Sequence, residues 1–190
     1  MREALQTERL RLRLYEPEDL TALASMYGDP GVARWLYSGP WTAADARTGL
    51  EGRLRRRAIH GAGDGLSLAV VLRESWAVVG DVFLQMVSVD HLQGEIGFVV
   101  HPEHHGRGYA TEAACVLLDL AFRDLGLHRV VGRLEVRNAA SARVLEKLGM
   151  RREAVLVENE WVKEEWQSEA VYAILAREWK PRAERCGPDR

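Results

Sequence analysis

Residues 9–14 alternate strictly, with Leu10, Leu12 and Leu14 on one side and Arg9, Arg11 and Arg13 on the other. A period of two predicts a strand with one buried face. Glu16-Pro17-Glu18-Asp19 then opens a helix, because proline fits a first turn and carboxylates there meet the positive end of the helix dipole. Leu20, Leu23, Ala24 and Tyr27 recur at three-to-four spacing until Gly28-Asp29-Pro30-Gly31 stops the pattern. Residues 32–41 read as a loop rich in large rings, with Trp35, Tyr37 and Trp41. Thr42 and Asp45 have capping-box spacing and start a second helix expected to reach about Ile59, before the breaker at Gly61 to Gly65.

Residues 66–73 and 76–87 read as neighbouring strands about a turn near Glu74-Ser75, and 94–100 as a third strand ending at His101-Pro102. From Arg107 to Leu125 the positions Ala110, Ala114, Leu117, Leu118, Ala121, Phe122 and Leu125 fall on one helical face, with Gly126 as the stop. A strand over 130–136, a helix over 139–148 and strands over 152–158 and 167–176 complete the pattern. The strand–helix–strand step across 95–136 requires a parallel pair, and the meander before it requires antiparallel neighbours. The predicted fold class is therefore α/β, a mixed and mostly antiparallel sheet with helices on both faces. One domain is expected over 1–180, with a flexible charged tail over 181–190.

Composition narrows the function. A chain of 190 residues, 47% hydrophobic and 28% charged, has the make-up of an ordinary globular domain rather than a disordered or fibrous one. Its 26 Lys and Arg against 28 Asp and Glu give a net charge of −2, so the basic field that holds nucleic acid is missing. Two cysteines, Cys115 and Cys186, cannot build a disulfide framework, which points to a reducing, cytoplasmic compartment. The N-terminus lacks the apolar stretch of a secretion signal, and runs such as Leu68 to Leu72 fall far short of the ~20 residues of a membrane span. No His/Cys cluster has metal-ligand spacing, and no metal is expected.

The most informative segment runs from Glu95 to Ala113, where a strand enters a turn holding Gly106 and Gly108 and a long helix begins at once. Glycines let backbone N–H groups converge on one hollow, and a helix N-terminus adds unpaired donors and partial positive charge. Together they suit a phosphate or pyrophosphate. A Walker loop is absent, and Gly106-Arg107-Gly108-Tyr109-Ala110-Thr111 lacks the last glycine of the dinucleotide fingerprint. Taken alone, the two glycines are equally a tight strand-to-helix turn.

His105-Gly106-Arg107-Gly108-Tyr109-Ala110 resembles the acyl-CoA-binding signature of the GNAT N-acetyltransferase superfamily, Gln/Arg-x-x-Gly-x-Gly/Ala, with His105 replacing Gln or Arg. Thr7 to Arg13 is similar to the opening strand of the RimJ/RimL-like subgroup, the ribosomal-protein-alanine N-acetyltransferase type. Asn138 to Met150 resembles its second CoA-contacting helix, and Tyr172 to Leu175 with Glu178-Trp179 its last strand. The resemblance implies a GNAT-like fold, in which the central parallel pair splays, and direct acetyl transfer from acetyl-CoA to a primary amine.

It also implies roles for particular residues. Phe98, Val99 and Val100 would bind the pantetheine arm as a further strand, with the Val100 or Val99 N–H polarising the thioester carbonyl. His105, Gly106, Arg107, Gly108, Tyr109 and Ala110 would hold the pyrophosphate, and Asn138 both the pantetheine amide and the helix it caps. The tyrosine that many members place seven residues after the asparagine is Leu145 here. The RimJ/RimL-like branch uses a serine three residues on, so Ser141 becomes the donor to the thiolate. Glu95 matches the family's base, acting directly or through water, and Gly94 and Gly97 around it leave room for substrate. His101 and His104 are alternative bases.

The acceptor is expected to be a protein N-terminal amine or a small amine, selected near Trp35, Tyr37 and Trp41. Glu158, Glu160, Glu164 and Glu165, interleaved with Trp161 and Trp166, are expected at a hairpin near the acceptor entrance, where they either attract a cationic amine or serve equally well as a charged turn with gatekeeping residues, and Ser168 replaces the family's usual Asp there. Three other readings follow from the residues. A non-catalytic acyl-CoA-binding module would account for the departures at His105 and Ser168. An RNA-binding face would use Arg53, Arg55, Arg56 and Arg57, although a solvated helix face explains that run as well. A homodimer could form through an exposed sheet edge.

Overall fold

In a computed structural model, which describes residues 5–180, the alternating segments pair into one eight-stranded sheet. The elements are β1 (Leu5–Gln6), β2 (Leu10–Leu14), α1 (Leu20–Gly28), α2 (Pro30–Ala33), α3 (Ala43–Arg55), β3 (Gly65–Leu72), β4 (Val78–Ser88) and β5 (Gln93–Val100). They continue as α4 (Tyr109–Asp119), β6 (Arg129–Glu135), α5 (Ala139–Lys147), β7 (Arg151–Val162) and β8 (Glu165–Leu175). The sheet order is β1-β2-β3-β4-β5-β6-β8-β7, and only β5 and β6 run parallel. This is the mixed, mostly antiparallel arrangement expected from the pattern. The tail expected over 181–190 lies outside the described residues.

Alternation sorts the side chains into two layers. Leu10, Leu12, Leu68, Val70, Val82, Leu84 and Ile96 pack with α4 and α5 on one face of the sheet. Ala69 and Val71 pack with Leu23, Met26 and Tyr27 of α1 and Leu50 of α3 on the other. Helices therefore cover both faces.

Three of the boundaries that differ from the sequence pattern do so for a plain local reason. The chain restarts after Gly28 instead of stopping, because Asp29 Oδ1 accepts hydrogen bonds from the Gly31 and Val32 amides at 2.7 and 3.1 Å and caps the single turn α2. The second helix ends at Arg55 rather than Ile59. Beyond it Arg56 takes a non-helical conformation, its carbonyl accepts from Ser67 N, and Arg57 bridges to Leu66, so the basic segment joins the edge of β3. The last hairpin is longer than its apolar stretch, with β7 and β8 meeting at Lys163-Glu164, both at positive φ (51° and 64°). That two-residue turn has the geometry usually supplied by Asn-Gly, and its Lys-Glu sequence hides it. The capping box at Thr42 forms as expected, with Asp45 Oδ2 accepting from Thr42 N at 2.8 Å.

The parallel pair sets up everything that follows. β5 and β6 are in register only at Gln93–Arg129, Gly94–Val130 and Glu95–Val131. Beyond Glu95, β5 continues on β4 as far as Val100–Gly80, while β6 follows β8 as far as Glu135–Glu169. The two strands diverge, and Glu95 stands at the vertex of the opening.

Candidate active site

One wall of the opening is the outer edge of β5. His101 N donates to Val79 O at 2.9 Å, so alternate residues of β5, Val99 and Gly97 among them, turn their backbone polar groups toward β4. Phe98 and Val100 have the opposite parity and face the opening. The register therefore separates the two candidate amide donors, and only Val100 N–H points where a thioester arm could lie. The Val100 carbonyl is already used, since His105 Nε2 lies 2.8 Å from it. His105 thus ties the turn to the strand end.

At the mouth of the opening the chain makes a tight turn with Gly106 at φ +74° and Gly108 at φ +79°. A Cβ at Gly106 would meet nothing within 4 Å, so the left-handed dihedral, not space, calls for glycine there. The first intrahelical bond of α4 runs from Glu112 N to Gly108 O, and no side chain caps the helix. The Tyr109, Ala110 and Thr111 amides are left as orphan donors beside the exposed turn.

Arg9 braces this turn from the opening strand. Its Nη1 donates to Arg107 O at 3.0 Å, its Nε to Glu112 Oε2 at 2.8 Å, and its guanidinium lies 4.9 Å from the buried Tyr109 ring. Burial alone would push the Glu112 carboxyl up, yet hydrogen bonds from Thr7 and Arg9 hold it below the usual range. Alternation alone places Arg9 on the outward side of its strand. Its place next to the Thr7-Glu8 start of the family-like strand was the available signal.

The opposite wall ends at the N-terminus of α5. Asn138 is buried and its Oδ1 accepts from Ser141 N at 3.1 Å, the N-cap expected from the sequence. Ser141 stands half-buried on the first turn. Leu145 is buried against Gly132 of β6, where a Cβ would come within 3.0 Å of its methyl groups, so this position belongs to the core.

The vertex of the opening is acidic. Glu95 is half-buried, with Oε2 3.4 Å from Arg133 Nε; Arg133 Nη1 in turn meets Oε1 of the buried Glu169 at 2.5 Å. Burial pushes the Glu95 carboxyl above its ordinary value, Arg133 opposes that shift and Glu169 adds to it. The side chains of Glu95, Arg133 and Glu169 share the sheet face that α1 and α3 cover further along. The loop after α2 reaches the same place. Tyr37 donates to Glu160 Oε1 of β7 at 3.2 Å, and burial together with Glu160, Glu169 and Glu95 raises its phenol to about 12. Lys163 Nζ donates to Ala33 O, the C-terminal end of α2, at 2.5 Å and fastens the β7–β8 hairpin to this loop.

Other sequence candidates have different surroundings. Trp41 stacks on Tyr27 with centroids 4.1 Å apart and fills the space above Gly49, whose Cβ would lie 2.3 Å from its ring. It is built into the α1–α3 packing. Trp35 lies under Arg34 at 4.7 Å, so Tyr37 is the loop ring brought to Glu160. The space beside Gly97 is filled by the Phe83 ring (2.2 Å from an added Cβ) and that beside Gly94 by Leu127 (2.6 Å); neither is room for substrate. His101 lies six residues beyond Glu95 on an extended strand, about 20 Å away, and bonds Ser25 at 3.1 Å. His104 belongs to the turn that follows His101, where burial, Arg107 and His101 lower its proton affinity. Ser168 Oγ accepts from Glu158 N at 3.0 Å and pins the irregular stretch of β7.

Arg53 points inward rather than joining a surface run. It binds Asp81, Tyr27 OH (2.7 Å) and Gly49 O (3.0 Å), leaving Arg55, Arg56 and Arg57 exposed. Among the described residues no group of His, Cys, Asp and Glu is placed to hold a metal ion, and no helix is long and apolar enough to cross a membrane.

A strand pair that opens at a carboxylate, with an uncapped glycine turn at its mouth, can be compared with known proteins. The sequence model of the acetyltransferase (GNAT) domain matches residues 9–151. The chain belongs to the GNAT acetyltransferase family. An uncharacterized N-acetyltransferase of Bacillus subtilis, YnaD, is 31% identical over 92% of this GNAT chain and 98% of its own length. A spermidine N(1)-acetyltransferase of Vibrio cholerae is 26% identical over 92% of this chain and 98% of its own. A solved GNAT acetyltransferase from Bacillus anthracis superposes with a TM-score of 0.82 at 31% identity, covering 93% of this chain and all of that one. The fold and the acetyl-CoA-dependent acetyltransferase activity implied by the glycine signature are those of the family.

Proposed function

We propose that this GNAT enzyme moves the acetyl group of acetyl-CoA directly onto a primary amine, with RimJ/RimL-like use of its residues and small cationic amines favoured as acceptors. The observation that carries this reading is the opening between β5 and β6, which has backbone donors on one wall, Asn138 and Ser141 on the other, and Glu95 at its vertex. In this reading the Tyr109, Ala110 and Thr111 amides hold the pyrophosphate and Asn138 holds the pantetheine amide. The arm lies along Phe98 and Val100. The coenzyme supplies the activated acetyl group; the rest of the chemistry falls to the side chains and amides of the site.

Glu95, directly or through a water, takes the proton from the attacking ammonium and exposes its lone pair. The nitrogen then bonds to the carbonyl carbon, and Val100 N–H meets the charge that develops on the carbonyl oxygen. As the carbon–sulfur bond breaks, Ser141 Oγ–H gives its proton to the departing sulfur and regains one from the nitrogen, which sheds its second proton on becoming an amide, so the products are the amide and the thiol. No residue is acylated. Cationic acceptors are supported by the Glu95, Glu160 and Glu169 carboxylates at the vertex, opposed by Arg133. The named activity of the Vibrio cholerae relative supports the same choice. A cytoplasmic location belongs to this reading.

The test is thiol release from acetyl-CoA over a panel of diamines, amino acids and amine-terminated peptides. Turnover on small amines that disappears in Glu95→Gln and falls in Ser141→Ala, with CoA binding intact in both, is the expected result. Tight CoA binding with no turnover on any acceptor would replace the enzyme with a binding module.

A further inference from the structure

We propose that Arg133, anchored by Glu169, is a positioning residue that holds Glu95 ionised and aimed into the opening until the incoming ammonium takes its place. The inference rests on the reading of Glu95 as the base. Its geometric ground is the register of the parallel pair. Val131 is the last residue of β6 opposite Glu95, and Arg133, two residues on, projects from the same face of the diverging strand. Its guanidinium therefore lies over the vertex.

The two contacts of Arg133 are unequal. Glu169 is 6% exposed, and a carboxylate that far from water requires a partner; Nη1 meets it at 2.5 Å. The contact with Glu95 is 3.4 Å, longer than the ~2.7–2.9 Å of a charge-assisted hydrogen bond. Glu169 thus fixes the cation, and Glu95 feels its charge without being locked by it. A substrate ammonium can displace the looser contact and leave the tighter one standing.

The charged and titratable groups around Glu95 come from four elements. Arg133 approaches from β6 and Glu169 from β8. Tyr37 comes from the loop after α2 and carries Glu160 of β7 on its hydroxyl. Arg133 is the one cation in this set, so its removal leaves burial and the Glu169 carboxylate opposing ionisation of Glu95.

The experiment reads the proton affinity of Glu95 twice. The first measurement is the acid limb of kcat/KM for 1,4-diaminobutane with saturating acetyl-CoA. The second is a carbon-detected NMR titration of the Glu95 carboxyl in the free protein, assigned with Glu95→Gln. Arg133→Gln is expected to move both midpoints up by about one pH unit or more. Arg133→Lys, which keeps the charge, is expected to restore the midpoint to within a few tenths. Glu169→Gln is expected to move it down, because Gln still accepts from Arg133 while the competing negative charge is gone. Should Arg133→Gln fold poorly, the paired Arg133→Gln/Glu169→Gln variant removes both charges and is expected to titrate between the two single variants.

Activity lost in Arg133→Gln with neither midpoint moved would overturn the proposal and leave Arg133 a structural residue. Full acetyl transfer by Glu95→Gln would instead overturn the base assignment, and the NMR titration would still report on the pairing.

Discussion

Replacing Arg53 with methionine tests whether the helical layer of α1 and α3 is held by a buried charge pair. The Arg53 side chain is 15% exposed and that of Asp81 5%. Arg53 Nε donates to Asp81 Oδ2 at 2.8 Å, and its other nitrogens reach Tyr27 OH and Gly49 O. Methionine keeps the length and apolar stem, so little volume is lost. Asp81 is left with Tyr27 OH, 2.6 Å from Oδ2, as its neutral partner, while its Oδ1 already lacks a hydrogen bond. Removing one member of a buried pair costs about 3–5 kcal/mol, against ~1 kcal/mol for an exposed one. At about 2–4 °C per kcal/mol for a chain of this size, Tm should fall by roughly 6–20 °C in calorimetry at pH 7. Arg53→Met/Asp81→Leu removes both charges and should regain a large part of that loss, since the stranded carboxylate is its main cause. A loss below ~1 kcal/mol in Arg53→Met, or a double variant no more stable than the single one, would refute the reasoning.

Three further outcomes are expected. Glu95→Gln should be more stable than the parent at pH 7 while losing acetyl transfer. Burial raises the folded carboxyl above its unfolded value, so ionised Glu95 weakens the fold increasingly as pH rises through that range, and urea midpoints at pH 4 and pH 8 will show a gap that widens with pH. Glu112→Gln should flatten acid sensitivity. Thr7 and Arg9 depress the Glu112 carboxyl, so its contribution is full above the ordinary value near ~4.3 and fades as pH falls below it; equal acid unfolding in variant and parent would contradict this. Gly108→Ala should lower stability by about 1–2 kcal/mol and weaken CoA binding in calorimetry, because alanine resists φ +79° and relaxing the turn redirects the amides. An unchanged CoA affinity would detach that turn from the coenzyme.

Features governed by short-range pattern were legible in the sequence. The alternation in β2, the capping box at Thr42 and the glycine turn before α4 each depend on residues within a few positions of one another, and each formed where expected. The end of α3 was not legible, because Arg56 and Arg57 leave the helix to meet β3, a contact no local window contains. Arg53 could have been found. Ala46, Leu50 and Arg53 fall at four-and-three spacing on one helical face, so an arginine on an apolar stripe announces a buried partner. Its partner Asp81, though, lies on β4, beyond what periodicity reaches.

The site divides along the same line. The half proposed for the coenzyme is mostly main chain, and main-chain geometry is written locally in Gly106, Gly108 and Asn138. The half proposed for the acceptor joins Tyr37, Glu95, Arg133, Glu160 and Glu169, five side chains from five segments whose meeting depends on register. Even within the coenzyme half, sequence could not choose between the amides of Val99 and Val100, since both read as apolar strand. One hydrogen bond, His101 N to Val79 O, fixes the parity of β5 and turns Val100 outward. A one-residue slip of that register would present Val99 to the opening instead and move Glu95 off the face it shares with Arg133. The proposed oxyanion donor and the proposed base are therefore set together by the pairing of β5 with β4. A variant that shifts this register should lose coenzyme polarisation and base placement in a single step, not one before the other.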